Sequence, residues 1–334
     1  MAMIDPSARA LLDAIDEPAL VVERDVVRLA NEQAKALLGR AIEGSDVRLA
    51  VRHPQALEFV LAGDPGEIDF TGVGAVGRPW RLVVRRIGES ALLLRLNDRS
   101  AAHSAEKMRV DFVANASHEL RTPLTAVLGY AESLEDSDLD PELAAKFAGT
   151  IKSEAKRMLR IIEDLMSLSR IEADRFVAPT DKVAVGSILR SAVESIRTTA
   201  HECGCNIHLE LQDDLPPIAG DFPQLVQLVD NLLNNSVRYG CASRDCKIRV
   251  SGTLEDDSIR LEVSDTGPGI PRQHLPFLSR RFYQVDAVRS RDTGGTGLGL
   301  AIVKHIVERH RGTLAIDSEV GEGTTVTIRL PVRY

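Results

Sequence analysis

Two stripes of mostly apolar residues run through the middle of the chain at alternating spacings of three and four, the pattern of helices with one apolar face. The first stripe is Val113, Ser117, Leu120, Leu124, Val127, Ala131 and Leu134. The second is Leu143, Phe147, Ile151, Met158, Ile161, Leu165 and Leu168. The polar segment 136–141 separates them, with Asp140 suited to an N-cap and Pro141 to a first helical position. We therefore predict two long helices folded as an antiparallel hairpin.

A hairpin of this kind has no partner for its two apolar faces within its own length. A second copy of the chain is the simplest way to cover them, because two hairpins make a four-helix bundle. The pattern predicts a homodimer.

The regions before and after the hairpin contain both helix-like and strand-like hydrophobic patterns. Before the hairpin, the short apolar runs at Ala19, Trp80 and Ala91, with a helical stretch over 30–38, predict a small α+β domain. After it, we predict helices at 185–200, 222–239 and 298–310, and strands at 247–253, 258–265, 313–318 and 324–330. The long polar stretch from Gly267 to Thr296 predicts a lid over a ligand. The domain boundaries expected are 1–98, 99–174 and 175–334.

Composition narrows the possible functions. The chain has 334 residues and a net charge of -8, which argues against nucleic acid as a partner because phosphate-binding faces are basic. We expect neither a membrane span nor a secretory signal, because no apolar run is long enough and the first twelve residues have neither a basic region nor an apolar one. We expect a cytoplasmic location for the chain as given, or the cytosolic portion of an inner-membrane protein.

The four cysteines are expected to be reduced thiols without zinc, since their spacing does not fit a zinc site.

His118 and Glu119 are the first candidate chemical groups. His118 follows a stripe position, so its imidazole is expected on the shoulder of the helix seam and partly exposed. Glu119 can accept a hydrogen bond or orient the ring. Pro123 removes the helical partner of the Glu119 carbonyl and should bend or loosen the helix one turn after His118. The alternative is an ordinary solvated histidine.

A second group of candidates lies downstream. Asn231 and Asn235 share one helix face, where their amide oxygens could reach a divalent cation. Asp265, at a strand end before a glycine turn, suits the exocyclic amine of adenine. The glycines from 295 to 299 let backbone N–H groups approach phosphates at a helix N-terminus. Each pattern alone also fits a cap, a solvated face or a tight turn.

Together these motifs resemble the sensor histidine kinases of two-component systems. The segment from Ser117 to Thr125, SHELRTPLT, is similar to the H-box, and the segment from Gln227 to Tyr239 is similar to the N-box. Asp265-x-Gly267-x-Gly269 and Gly295-x-Gly297-x-Gly299 are similar to the two glycine boxes, Phe282 lies at the F-box, and Gly321 to Thr324 match the last glycine turn. The resemblance covers about residues 105–332. Within the family, the motif sequences are most similar to those of the phosphate-responsive PhoR-type branch.

The resemblance implies a fold and a set of roles. It implies a multidomain α+β protein with a dimeric four-helix bundle and an α/β-sandwich ATP-binding domain of the GHKL type. It implies that His118 is phosphorylated from Mg-ATP, that the phosphoryl group passes to an aspartate of a response regulator, and that Glu119 and Thr122 support phosphatase activity. Asn235 would be the Mg²⁺ ligand. The implied nucleotide-binding residues are Asn231, Asn235, Arg238, Tyr239, Asp265, Gly267, Gly269, Phe282, Gly295, Thr296, Gly297, Leu298, Gly299, Leu300 and Thr324.

Two other classes of protein remain open. The GHKL fold also serves ATPases, which use a water-activating glutamate where this chain has Asn231. An ATP-independent dimeric adaptor is the other, and it would have degenerate glycine boxes, whereas these are intact. The N-terminal region, 1–98, weakly resembles a PAS sensory module. We predict no cofactor there, with His53 solvated and Trp80 in the core.

Overall fold

The computed structural model describes residues 6–73, 77–88, 90–135, 139–174, 177–240, 246–285 and 295–332. The chain falls into two compact units, Met1–Val113 and Ala114–Tyr334. None of the described helices is both long enough and apolar enough to span a lipid bilayer.

The first unit is built on a five-stranded antiparallel sheet with the order β2-β1-β5-β4-β3. Its strands are β1 Ala19–Glu23, β2 Val26–Ala30, β3 Gly66–Thr71, β4 Pro79–Ile87 and β5 Ala91–Asp98. Its short helices are α1 Pro6–Asp13, α2 Glu32–Leu38, α3 Val47–Ala50 and α4 Pro54–Ala62. The strands predicted from the runs at Ala19, Trp80 and Ala91 are confirmed.

Buried polar side chains of this unit are held by specific partners. Asn31 is fully buried and caps α2, accepting hydrogen bonds from the backbone N–H groups of Ala34 and Ala19. Trp80 belongs to the core, as predicted, and its indole N–H donates to the carbonyl of Val73 at 2.9 Å. The prediction of a solvated His53 is wrong: the side chain is half-buried, with its ring centroid 5.8 Å from that of Phe70.

The hairpin consists of α5, Ser100–Leu134, and α6, Pro141–Ala173. Asp140 caps α6 by accepting a hydrogen bond from the backbone N–H of Glu142, and Pro141 follows as predicted. Residues 136–138 of the predicted turn lie outside the described residues. Helix α5 runs through Pro123 without a break, so the loosening expected after His118 does not interrupt the helix.

The rest of the second unit has a five-stranded sheet backed by helices. The sheet order is β11-β12-β10-β9-β7, antiparallel except for the β7–β9 pair. Its strands are β7 Cys205–Leu211, β9 Cys246–Glu255, β10 Ser258–Asp265, β11 Thr313–Glu319 and β12 Gly323–Pro331. The helices are α7 Val185–Glu202, α8 Phe222–Asn235 and α9 Gly299–Arg309, and a small sheet pairs β6 Lys182–Val183 with β8 Ile218–Ala219.

The helices and strands of this part each bury an apolar face. Alternate residues of β9 are buried, and helices α7, α8 and α9 each bury one face, so the helices cover the sheet as the hydrophobic pattern predicts. Helix α8 ends at Asn235, earlier than expected, and Ser236–Gly240 form a π-helical turn.

The expectation of reduced thiols is wrong for one of the three cysteines that the structure describes. Cys205 is disulfide-bonded, whereas Cys203 and Cys246 are free. Cys241 lies outside the described residues.

Candidate active site

A cavity of about 550 Å³ opens in the second unit, between helix α8, the end of β10, the N-terminus of α9 and one face of α6. Most of the sequence-predicted nucleotide residues line it. These are Asn231, Asn235, Arg238, Tyr239, Asp265, Gly269, Gly295, Thr296, Gly297, Gly299, Leu300 and Thr324. The other three, Gly267, Phe282 and Leu298, do not line the cavity; they lie beside residues that do.

Asp265 occupies one wall at the end of β10. The backbone N–H of Gly267 donates to its carboxylate at 3.0 Å, and Ser236 also donates to it. Burial raises the pKa of the Asp265 carboxyl, and these hydrogen bonds offset only part of that rise. A partly desolvated acceptor of this kind gains most from a ligand that donates an N–H, such as an amino-substituted base.

Glycines allow the backbone to approach closely around Asp265. A Cβ atom on Gly267 would lie 2.6 Å from the Cα of Gly240, and a Cβ on Gly240 would lie 2.9 Å from the Cβ of Asp265. No side chain fits at either position. The first glycine box therefore positions the aspartate wall.

The second glycine box lies at the N-terminus of α9. Gly297 has φ 70°, and a Cβ there would lie 2.8 Å from the Cα of Phe282. The backbone N–H of Phe282 donates to the carbonyl of Gly297 at 2.8 Å, and that of Leu298 donates to the hydroxyl of Thr296 at 3.2 Å. The first turn of α9 then begins at Gly299, where unpaired N–H groups and the helix dipole favour an anion.

The two asparagines of α8 lie on the same side of the cavity. The side-chain oxygen of Asn231 faces Gly299, because a Cβ on that glycine would lie 2.9 Å from it. Asn235 lines the cavity one turn later and makes no side-chain hydrogen bond within the described residues. A neutral amide oxygen without a protein donor suits one position in the coordination of a Mg²⁺ ion that takes its other ligands from water and phosphate. The residues present fit that ion.

Helix α6 supplies a wall that the sequence analysis missed. Arg160, Glu163 and Asp164 all line the cavity. The hydroxyl of Thr296 donates to the Asp164 carboxylate at 2.8 Å, and burial raises the pKa of that carboxyl. The four-residue spacing of Arg160 and Asp164 places both on one helical face, and this was the only signal available in the sequence.

Further contacts join α6 to the sheet-and-helix part of the unit. Ser167 donates to the side-chain oxygen of Gln227 at 2.6 Å, and Arg281 forms an ion pair with Glu172. Arg309, which is almost fully buried, pairs with Asp221 at 2.9 Å and donates to backbone carbonyls just after α6. The cavity is therefore closed on the α6 side by a fixed set of polar contacts.

His118 is exposed on α5 and does not line the cavity. The Glu119 carboxylate accepts a hydrogen bond from Arg157 of α6 at 2.9 Å. The Thr122 hydroxyl donates to the His118 carbonyl at 3.3 Å. The structure thus brings most of the nucleotide candidates together in one cavity and places the three hairpin candidates outside it. The predicted lid from Gly267 to Thr296 includes residues 286–294, which lie outside the described residues.

Two family models match the chain, one over the hairpin and one over the part that contains the cavity. The His Kinase A (phospho-acceptor) domain matches residues 108–174. The model of the histidine kinase-, DNA gyrase B- and HSP90-like ATPases matches residues 220–334. An ATP-binding domain of this kind beside a phospho-acceptor hairpin defines the class of protein kinases that phosphorylate histidine.

Two similar proteins agree with this class. The chain is 34% identical over 340 residues to the phosphate regulon sensor protein PhoR of Pseudomonas aeruginosa, covering 96% of this chain and 74% of the relative. It is 34% identical over 308 residues to the sensor-like histidine kinase SenX3 of Mycolicibacterium smegmatis, covering 87% of this chain and 78% of the relative. The chain belongs to the sensor histidine kinases of two-component systems.

Two solved structures share the fold. Histidine kinase AdeS of Acinetobacter baumannii aligns with a TM-score of 0.50 at 23% identity, over 64% of this chain and 98% of that one. Histidine kinase ThkA, solved in complex with the response regulator protein TrrA, aligns with a TM-score of 0.51 at 15% identity, over 97% of this chain and 98% of that one. The multidomain α+β fold, with a helical hairpin and a GHKL-type ATP-binding domain, is confirmed.

Proposed function

We propose that this histidine kinase transfers the γ-phosphoryl group of ATP to His118. One observation carries the assignment. The same cavity has a partly desolvated carboxylate, Asp265, on one wall and a glycine-lined helix N-terminus at Gly299 on another, in the same unit as an exposed histidine. The first group suits the adenine amine and the second suits phosphate.

In the proposed reaction, the lone pair of one His118 ring nitrogen forms a bond to the γ-phosphorus. The bond between that phosphorus and the β,γ-bridging oxygen breaks, and its electron pair leaves on ADP. The proton on the other ring nitrogen can pass to Glu119 or to water. Catalysis of this step is mainly positioning and charge neutralisation.

We also propose Asn235 as the protein ligand for Mg²⁺. When bound, the ion neutralises charge on the phosphates during transfer. Arg238 and the backbone N–H groups around Gly297 would share this task. Asn231 on α8 is a neutral amide, so it cannot act as a base that activates water.

We propose that the chain acts as a homodimer through the hairpin. Large apolar side chains on both hairpin helices are exposed in the single chain, among them Leu124 (45%), Leu128 (55%), Leu159 (56%) and Met166 (52%). An apolar face of this size on a helix pair is typical of a protein interface. A second hairpin packed against it would complete the bundle.

The partner proposed for phosphohistidine is an aspartate of a response regulator. ThkA, which shares the fold, was solved with such a regulator. Glu119 and Thr122 would serve hydrolysis of the regulator's phosphoaspartate. The Thr122 hydroxyl would leave the His118 carbonyl and orient a water molecule, whose oxygen bonds to the phosphorus while the bond to the aspartate oxygen breaks and the carboxylate leaves. The PhoR relative makes a phosphate-responsive pathway the first to examine.

The proposed domain organisation is 1–98, a PAS-like sensory domain, then 99–174 for dimerisation and phosphotransfer, then 175–334 for ATP binding. The family-model ranges 108–174 and 220–334 support the second and third parts. The antiparallel sheet of the first unit, with α2, α3 and α4 packed in one core, supports a separate input domain.

The fate of the γ-phosphoryl group tests this proposal. The full chain is incubated with γ-labelled ATP and Mg²⁺, and label is measured on the protein and in solution. Protein-bound label that is stable to base and labile to acid is the expected result. Steady release of free phosphate without labelled protein would support the ATPase class instead, and neither label nor nucleotide binding would support the adaptor.

A further inference from the structure

Two arginines from different helices converge on the nucleotide cavity. Arg238 follows α8 in the π-helical turn, and Arg160 lies on α6 of the hairpin. Both line the cavity. Within the described ranges, neither guanidinium forms an ion pair with a carboxylate, although many other arginines do.

The charges around Arg160 are not balanced. Arg160 is an exposed residue overall, but partial burial of its guanidinium at the cavity and the positive charge of Arg238 both lower its pKa, so the two cations are close enough to repel each other. Asp164 is the carboxylate that acts on Arg160 most favourably, but it already accepts the hydrogen bond from Thr296. In a chain with a net charge of -8, two close arginines without a paired acid form a local site for an anion.

The position of Asp164 shows which end of the cavity Arg160 serves. Asp164 lies one turn after Arg160 on the same helical face and contacts Thr296 of the second glycine box. Helix α6 therefore faces the phosphate end of the site, next to the N-terminus of α9. Asp265, the adenine candidate, is contacted instead by Ser236, Gly240 and Gly267.

We propose that Arg160 is a phosphate-binding residue that the phosphotransfer hairpin contributes to the ATP site. This inference rests on the proposed function, because it requires ATP in the cavity. A guanidinium binds phosphate oxygens with paired N–H groups, and a polyphosphate relieves the repulsion between Arg160 and Arg238. Arg157, which holds Glu119, lies one turn before Arg160 on α6, so phosphate binding is placed next to the residues around His118.

Binding affinities for ligands of different phosphate number test the proposal. The full-length chain is titrated with AMP, ADP and the β,γ-imido analogue of ATP, which does not transfer its phosphoryl group. Arg160→Gln is expected to weaken binding of the ATP analogue about tenfold and of ADP about threefold, with AMP unchanged. Arg160→Lys keeps the charge but loses the paired N–H groups, so it should restore only part of the lost affinity.

Arg170→Gln is the matched control. It makes the same change on the same helix, at an exposed position outside the cavity, and should leave all three affinities unchanged. If Arg160→Gln weakens AMP as much as the ATP analogue, or matches Arg170→Gln, the proposal is wrong. If the unmodified chain binds none of the three ligands, the proposed function itself fails, so the two failures are distinguishable.

Discussion

The guanidinium of Arg157 donates a hydrogen bond to the carboxylate of Glu119 at 2.9 Å, across the two helices of the hairpin. Arg157 is one of the few charged side chains that the second unit buries, and its Nε atom has no hydrogen-bond partner among the described residues. Burial of a cation is tolerated when a carboxylate faces it. The pair therefore ties the acid beside His118 to the opposite helix.

Replacing Arg157 should affect both stability and transfer. Arg157→Ala removes the partner of Glu119 and leaves a cavity between the helices, so we expect a loss of about 2 kcal/mol in the free energy of unfolding. Phosphorylation should slow on the order of tenfold, because the Glu119 carboxylate is no longer held beside the histidine. Chemical denaturation and the initial rate of label incorporation measure the two effects. Lys156→Ala, at the exposed neighbouring position, should change neither, and equal effects of the two variants would contradict this account.

Replacing Asp265 should weaken nucleotide binding without lowering the stability of the protein. Burial raises the pKa of the Asp265 carboxyl, which means that the charged carboxylate is destabilised in the folded protein. The neutral amide of an asparagine would not be destabilised in this way. Asp265→Asn should therefore leave the ligand-free protein as stable or slightly more stable. The same change should weaken nucleotide binding at least tenfold, because the charge facing the adenine amine is lost. Thermal unfolding and ADP titration check this, and an Asn variant that binds ADP normally would rule out the assigned role.

Asp164 should make the stability of the folded protein depend on pH. Burial raises the pKa of its carboxyl above the ordinary value, so the folded state binds a proton more readily than the unfolded state does. The stability contribution of Asp164 is complete below the ordinary aspartate pKa, and it is lost as the pH rises through the raised pKa. Asp164→Asn should therefore gain stability relative to the parent as the pH rises from acid to neutral. Denaturation of both proteins across that range tests the sign, and a gain confined to acid pH would refute it.

Gly297 should be intolerant of a side chain for two separable reasons. Its φ of 70° disfavours other residues, and a Cβ would collide with the backbone of Phe282 at 2.8 Å. Gly297→Ala is expected to reduce affinity for the ATP analogue at least tenfold, because the phosphate-facing turn must shift. Gly321→Ala also has a positive φ, 89°, but would meet nothing within 4 Å. It should share the strain and keep the affinity, whereas similar affinities for the two variants would contradict the account.

The exposed hairpin face should control assembly. In a symmetric dimer Leu124→Asp places two carboxylates in the apolar interface, which should weaken association on the order of a hundredfold. Light scattering over a range of concentrations would then report monomer where the parent is dimeric. Val320→Asp, at an apolar side chain that is 64% exposed outside the hairpin, is the control. A parent chain that is monomeric throughout, or a Leu124→Asp variant that stays dimeric, would refute the proposed interface.

The local features of this chain were readable from its sequence, whereas contacts between distant segments were not. The Asp140 cap, the hairpin helices and the glycine turns depend on neighbouring residues, so spacing and residue type predicted them. Strands β3 and β7 were missed because their alternation is short and their exposed faces carry charged or polar residues. The α6 wall of the cavity was missed because it depends on the approach of Asp164 to Thr296, which are far apart in sequence.

The most direct test of the central claim compares two histidines of helix α5. The parent, His118→Gln and His103→Gln proteins are incubated with γ-labelled ATP and Mg²⁺, and acid-labile label on each is quantified. His103 is also exposed on α5, so its replacement controls for a general change in the helix. The account predicts label on the parent and on His103→Gln, and none on His118→Gln, which should still bind the ATP analogue. Label that persists on His118→Gln would contradict the claim that His118 receives the phosphoryl group.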